Sequence, residues 1–170
     1  MSIRDIYVCR WDFRHIRNGK VIFEFRNRKN ILVDEGEKLF IDTVLRKRAS
    51  TYFASDNFYT GFYKGTVIES TTLATLPNEP AIANGYTRQA IERSTVGWPT
   101  LEKNSEDNWR ATSKEITYTA SGGDIGPLNG VFFGTSSDNT GSLIGAVATG
   151  VERTILSGDQ AVFTIKFEMK

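Results

Sequence analysis

The chain has 170 residues, 39% hydrophobic and 24% charged, with a formal net charge of +1 at pH 7. That makeup suits a globular protein with one well-buried core. It contains no apolar run near the roughly 20 residues that cross a bilayer, and Met1-Ser2-Ile3-Arg4-Asp5 lacks the apolar stretch of a secretory signal.

A single cysteine, Cys9, excludes an internal disulfide framework, points to a reducing compartment and reads as a small apolar filler in a strand. Charge is unevenly spread. Residues 1–50 carry twelve Lys/Arg against seven Asp/Glu, a net +5, and the remainder carries nine against thirteen, a net −4. We read the basic excess as solvated faces or protein contacts rather than a nucleic-acid footprint.

In chain order, residues 3–13 are rich in β-branched and aromatic side chains and predict a strand. Asn18-Gly19 is a two-residue hairpin signal, because both central positions of a type I′ turn need positive φ. Val21 to Phe25 returns as the partner strand, and Trp11, Phe13, Phe23 and Phe25 make one apolar face across the hairpin. A lone hairpin is marginal in water, so this one must lie on the main body, a helix or a neighbouring subunit.

Asp34 followed by Glu37 has the spacing of a capping box. Leu39, Phe40, Thr43 and Val44 then recur at helical spacing, with Ile41 and Leu45 widening the stripe and Lys47 closing it. The basic turn Arg46-Lys47-Arg48 complements the helix dipole.

Beyond the helix, Phe58 to Tyr63 predicts a core strand, and Thr66 to Gly85, with Pro77 and Pro80, a long surface loop. Tyr86 to Glu92 predicts a strand, Gly97-Trp98-Pro99 a turn, Asn104 to Asn108 a polar tip, and Trp109 to Thr119 a returning strand. The chain closes with two apolar runs around Gly134–Ser142, a Gly158-Asp159 turn and a final strand. In that strand Ala161, Phe163, Ile165, Phe167 and Met169 share one face, and Val162, Thr164, Lys166 and Glu168 the other. The fold class is mainly β: an antiparallel β-sandwich, jelly-roll-like, with an N-terminal β-hairpin and one short α-helix. The division is residues 1–50, hairpin and helix, and residues 51–170, the sandwich body.

Groups able to do chemistry are sparse. The one histidine, His15, reads as a surface side chain beside the hairpin turn. One Cys and one His build no zinc site of the usual soft ligands. No Gly-x-Ser-x-Gly elbow accompanies a Ser-His-Asp set. Gly134 to Ser142 lacks the lysine of a phosphate loop and reads as a hairpin loop. Asp138 and Asn139 lack the acidic spacing of an EF-hand, and Glu106-Asp107 lies in a solvated turn. The expectation is a protein that is not an enzyme and has no cofactor and no metal.

Several stretches then carry a resemblance. Asn30-Ile31-Leu32-Val33-Asp34-Glu35-Gly36 leads into the helix, and Phe58-Tyr59-Thr60-Gly61-Phe62-Tyr63 follows. Asn84-Gly85-Tyr86-Thr87-Arg88-Gln89, the Gly97-Trp98 turn, Glu115-Ile116-Thr117-Tyr118-Thr119-Ala120 and Leu156-Ser157-Gly158-Asp159 complete the pattern. In this order the chain resembles small virion structural proteins of tailed bacteriophages, in particular capsid decoration (cement) proteins and related head or tail accessory proteins. The resemblance implies a virion protein made in the host cytoplasm and bound to the outer lattice of the major capsid protein. It implies a homo-oligomer such as a trimer, capsid stabilisation without catalysis, no membrane and no direct nucleic-acid binding.

Under this reading the first 50 residues are a subunit-contact arm. Tyr7, Arg10, Trp11, Arg14, Arg17, Arg26 and Arg28 in the arm, with Leu73, Leu76 and Pro77 in the long loop, are the candidate contact residues. A tail, neck or collar component is the alternative, and a carbohydrate-binding sandwich with Trp98 or Tyr86 as stacking platform is a weaker one.

Overall fold

The structure, a computed structural model, describes residues 7–45 and 56–169. Among these, eleven strands and one helix follow one another. They are β1 (Tyr7–Arg17), β2 (Lys20–Lys29), β3 (Ile31–Leu32), α1 (Asp34–Leu45), β4 (Asn57–Tyr63), β5 (Gln89–Glu92), β6 (Thr100–Lys103), β7 (Trp109–Thr112), β8 (Ile116–Thr119), β9 (Ile125–Gly134), β10 (Leu143–Ile155) and β11 (Gln160–Met169). One antiparallel sheet runs β2-β1-β11-β7-β6, with β8 also paired to β11, and the second runs β3-β10-β9-β4-β5. The two pack as a sandwich, as the alternation of the closing strand requires.

Asn18 and Gly19 adopt positive φ (49° and 72°), and Arg17 pairs with Lys20 across the turn. The hairpin is not a separate arm. Its first strand is interior to a sheet, paired with β11 from Tyr7↔Met169 to Ile16↔Gln160, so the core runs across the expected boundary at residue 50. The physical reason lies in Trp11 and Phe13, which are both fully buried. Here the second sheet, with Val131, Phe133, Ile144 and Val147 in the same core cluster, removes them from water on the inner face.

The core centres on Phe163, whose ring lies 5.6 Å from Trp11, 5.9 Å from Tyr118 and 6.3 Å from Phe62. Val131, Phe133, Ile144 and Val147 cover it from the opposite sheet. β9 is buried on both faces, because Phe132 joins Val33, Tyr63, Val67, Leu73 and Leu143 in a second cluster outside the sheet. The stretch between β4 and β5 supplies Val67 and Leu73 to that cluster, so the expected surface loop is partly a third layer.

α1 begins at the expected cap position, Asp34, so the cap falls one residue earlier at Val33, whose carbonyl accepts from the Glu37 amide at 3.0 Å. Its acidic first turn, Asp34, Glu35 and Glu37, faces the positive end of the helix dipole. Glu35 Oε2 accepts from the Leu73 amide (3.0 Å) and the Leu143 amide (2.7 Å), pinning the long loop and the start of β10 to the helix. Gly36 lets the helix touch β10, since a Cβ there would stand 2.3 Å from Ile144 O. The expected apolar stripe is seen at Leu39, buried, and Phe40, half-buried. Its continuation at Ile41, Thr43, Val44, Leu45 and Lys47, with the basic turn 46–48, lies outside the described side chains.

Two strands depart from expectation. The single strand over Trp109–Thr119 is broken into β7 and β8 at Ser113, whose amide donates to Ile165 O (2.8 Å) while its hydroxyl accepts from the Ile165 amide (2.9 Å). On β11, the outward-facing Val162 and Glu168 are buried rather than free.

Beyond the end of β5, two tyrosines take the place of a strand beside β4. Tyr118 donates to Thr60 O at 2.6 Å, and the Phe62 amide donates to Tyr86 Oη at 3.0 Å. Burial pushes both phenols upward in pKa, so they stay neutral donors.

Phe163→Ala is expected to remove about 3–5 kcal/mol of stability in urea unfolding. Ile82→Ala, at an exposed loop position, is expected to stay within about 0.5 kcal/mol of the parent.

Candidate functional site

Where β1 begins and β11 ends, the two sheets leave an open apolar cleft of about 440 Å³. Its walls are aromatic because β1, β4, β9 and β11 bring Tyr7, Phe58, Phe133 and Phe167 to that end, where Phe40 of α1 and Trp98, just before β6, join them. Tyr7 stacks on Phe40 (5.1 Å), and Phe40 lies 5.8 Å from Phe167. Phe133 bridges Phe167 (5.6 Å) and Phe58 (4.8 Å), with Trp98 edge-on to both Phe133 and Phe167. The lip comes from the β6–β7 hairpin. Leu101 pairs with Ala111 and Lys103 with Trp109, which places Leu101, Ala111 and Trp109 on one face. Leu101 is 70% and Trp109 53% exposed.

Polar groups border the cleft on one side. Glu168, buried, lies 3.4 Å from Arg10 Nε and 3.7 Å from Arg110, and Arg110 also meets Glu102 at 2.5 Å. The Arg93 guanidinium covers Phe58 at 5.5 Å. An aromatic, largely unlined-by-charge hollow with two exposed apolar lips can receive apolar or aromatic groups and remove them from water.

His15 is not the surface histidine that was expected. It is buried on the inner face of β1, with Nε2 2.9 Å from Asp159 Oδ2. Arg17 Nε donates to both oxygens of the same carboxylate, at 3.1 and 2.9 Å. The hydrogen bond from Arg17, assisted by that from His15, holds the Asp159 carboxyl below the usual range against the opposing effect of burial. This cluster clamps the β10–β11 turn onto the β1–β2 turn. Cys9 is buried, as expected, and desolvation pushes its thiol far up, away from the thiolate form.

The Gly134–Ser142 stretch is a hairpin loop between β9 and β10. Its Asp138 carboxylate is engaged internally: the Thr140 and Ser136 hydroxyls (2.6 and 2.7 Å) and the Thr140 amide (2.9 Å) hold it down to about 2. Arg88 braces this loop, donating to Ser136 O at 3.1 Å while forking onto Glu79. Among the described residues no group of three His, Cys, Asp or Glu is placed to hold a metal ion. No described helix is long and apolar enough to cross a membrane.

The expected contact residues do not form one patch. Tyr7 lines the cleft, but Trp11 and Leu73 are fully buried and cannot reach a partner. Large apolar side chains with a sheet to cover them go inside. Arg10, Arg14, Arg17 and Arg26 are engaged by Glu168, Glu115, Asp159 and Glu24. Arg28 donates to Ala148 O (2.7 Å) at the far edge of the sandwich. Leu76 and Pro77 are half-buried, Leu76 against the second cluster.

The stacking platform of the carbohydrate reading also changes. Tyr86 is buried, with its hydroxyl donating to Glu79 at 2.6 Å, and Trp98 packs into the cleft wall. The cleft was not foreseen as a site. Its one visible signal is Trp109 directly after a polar tip, a large ring with no strand to hide behind.

No family model, curated protein or solved structure matches this chain.

Asp159→Asn is expected to lower stability at neutral pH by about 1.5–3 kcal/mol, the loss of charge-assisted hydrogen bonds. Because the folded-state carboxyl is depressed, its contribution is fully present above the unfolded value of about 3.9. It fades as pH falls through the lower folded value. The gap in urea midpoint between parent and variant should therefore close in acid, and a gap independent of pH would refute the assignment.

Proposed function

We propose that this chain is a non-enzymatic structural protein of a tailed-bacteriophage virion, a capsid decoration (cement) protein. In this reading it binds the outer capsid lattice and stabilises the head. The observation that carries the proposal is the aromatic cleft with its exposed Trp109 and Leu101 lips. A protein whose task is attachment needs apolar surface that stays wet in the free state and is desolvated on docking, at about 25 cal/mol per Å². The sequence pattern and the antiparallel sandwich agree with that role. So does the engagement of His15, Asp159 and Glu168 inside the fold, which leaves them to hold structure rather than to turn over a substrate.

The partner is the major capsid protein, and the stabilisation is mass action. A protein that binds only the assembled shell lowers the free energy of that shell by its own binding free energy. Homo-oligomeric attachment, as in a trimer, raises the effective affinity without new contacts. The protein is made in the host cytoplasm and resides on the virion, with neither a membrane nor nucleic acid as partner.

Two measurements test this. Quantitative mass spectrometry of purified particles should find the protein in copy numbers comparable to the capsid lattice. A few copies per particle would instead assign it to the neck or tail, and absence from particles would end the virion reading. The double variant Leu101→Ser/Trp109→Ser changes only lip residues and should fold normally. It is expected to lose at least about tenfold in affinity for expanded heads, and undiminished binding would remove the cleft from the docking surface.

A further inference from the structure

The cleft is bordered by the last strand of its sheet, β6, whose outer edge pairs with no strand among the described residues. Alternation in an antiparallel ladder decides which backbone groups lie on that edge. The Ser113 amide, just beyond β7, donates to Ile165 O (2.8 Å), and Ala111 pairs with Phe167. The odd-numbered residues of this stretch therefore aim N–H and C=O at β11, and Arg110 and Thr112 bond to β6 through Glu102 and Thr100. At the hairpin end the Asn104 amide donates to Asn108 O (2.9 Å), in the same phase. Leu101 and Lys103 are left with their N–H and C=O pointing away from the sheet. Both are exposed, as is Glu102 between them.

Leu101 offers this edge and also forms the cleft lip. Leu101, Ala111, Phe167 and Cys9 are successive cross-strand neighbours on the inner face. A strand added beyond β6 would continue that row, and its residue opposite Leu101 would hold its side chain over the cleft. Free strand edges are ordinarily blunted by bulges, charge or proline. β2, at the other end of the same sheet, is interrupted by two register shifts and carries Lys20, Arg26, Arg28 and Lys29. β6 pairs without a shift and contains no proline, and its one cation, Lys103, is taken by Asp107 at 2.8 Å.

We propose that β6 accepts, as an added strand, an extended segment of a different protein chain whose alternate side chains are apolar and enter the cleft. The proposal rests on the reading of the cleft as docking surface and adds the form in which the partner arrives. Unpaired backbone donors and acceptors at an apolar lip match a partner that brings a backbone of its own. A second copy of β6 does not fit. Two-fold antiparallel pairing of the outward groups sets Glu102 against Glu102, Lys103 against Lys103, or Lys103 against Pro99, which has no N–H. Glu168, Arg10, Arg110 and Glu102 already neutralise one another beside the cleft. A further charge carried into it would be buried unpaired, so the entering side chains are neutral.

The test is an NMR titration of the full-length, isotopically labelled protein with a synthetic octapeptide, threonine alternating with phenylalanine between two terminal lysines. A second peptide of the same sequence carries N-methyl groups on its phenylalanine amides, the ones that would face β6 when the rings face the cleft. The unmodified peptide is expected to give saturable shifts at the Leu101 and Lys103 amides and at Trp109 Nε1–H. It should also slow hydrogen exchange at Leu101 and Lys103, whose amides exchange fast in the free protein. The methylated peptide should bind at least about tenfold more weakly. Equal binding by the methylated peptide, with shifts at Trp109 alone, would overturn strand addition and keep the cleft as an apolar docking site. No shift at Trp109 or β6 with either peptide would overturn strand addition and remove the cleft itself from the docking surface.

Discussion

The pairing of β1 with β11 is the constraint on which the remaining structure rests. It joins segments from opposite ends of the chain over ten residue pairs, and it sets Trp11 beside Ile165 and Phe13 beside Phe163 on the inner face. At one end of this ladder Cys9 pairs with Phe167, next to the aromatic cleft. At the other, His15 pairs with Ala161, next to Asp159. A one-residue slip would turn every aromatic ring outward. Burying Phe163, Ile165 and Phe167 is worth about 1.5–3 kcal/mol each before entropy is subtracted, so the register is held by the core itself.

The two lateral edges of the sandwich are closed by different chemistry. Beside β4, hydroxyls of Tyr86 and Tyr118 complete the backbone hydrogen bonding that β5 leaves unfinished, and neutral phenols suit a site enclosed by protein. Beside β10, guanidiniums on Phe23 and Phe25 close the gap. Between those edges the outer face of the first sheet carries matched charges, Lys166 with Asp12 at 2.6 Å and Arg10 with Glu168. Among the described residues, the aromatic cleft stands apart from these matched charges as an open apolar surface.

Much of the fold was legible in the residue pattern. Asn18-Gly19 fixed a hairpin by its backbone demands, and the period-two run from Ala161 to Phe167 identified a strand with one inner face. Alternation assigns side chains to a face but not to a depth. Val162 and Glu168 are on the outward face and still buried, under neighbouring side chains that no local pattern specifies. His15 was misplaced for the same reason: its parity with Trp11 and Phe13 put it inside, while its position beside a turn suggested water. The break at Ser113 depends on pairing with Ile165, more than fifty residues away. The cleft was least legible, because Tyr7, Phe40, Phe58, Trp98, Phe133 and Phe167 come from separate elements and meet only when both sheets are assembled.

That long-range ladder also orders events during synthesis. The β1–β2 hairpin leaves the ribosome well before β11, with Trp11, Phe13 and Phe25 on a face that later residues cover. At about 5–20 residues per second, β11 follows on the order of ten seconds behind. For that interval a basic, aromatic hairpin must remain unpaired along the β1 edge that will later be interior. The sheet's central pairing thus waits on the last of these strands to be made, and until then the nascent chain exposes to other partners an edge that the finished protein holds inside a sheet.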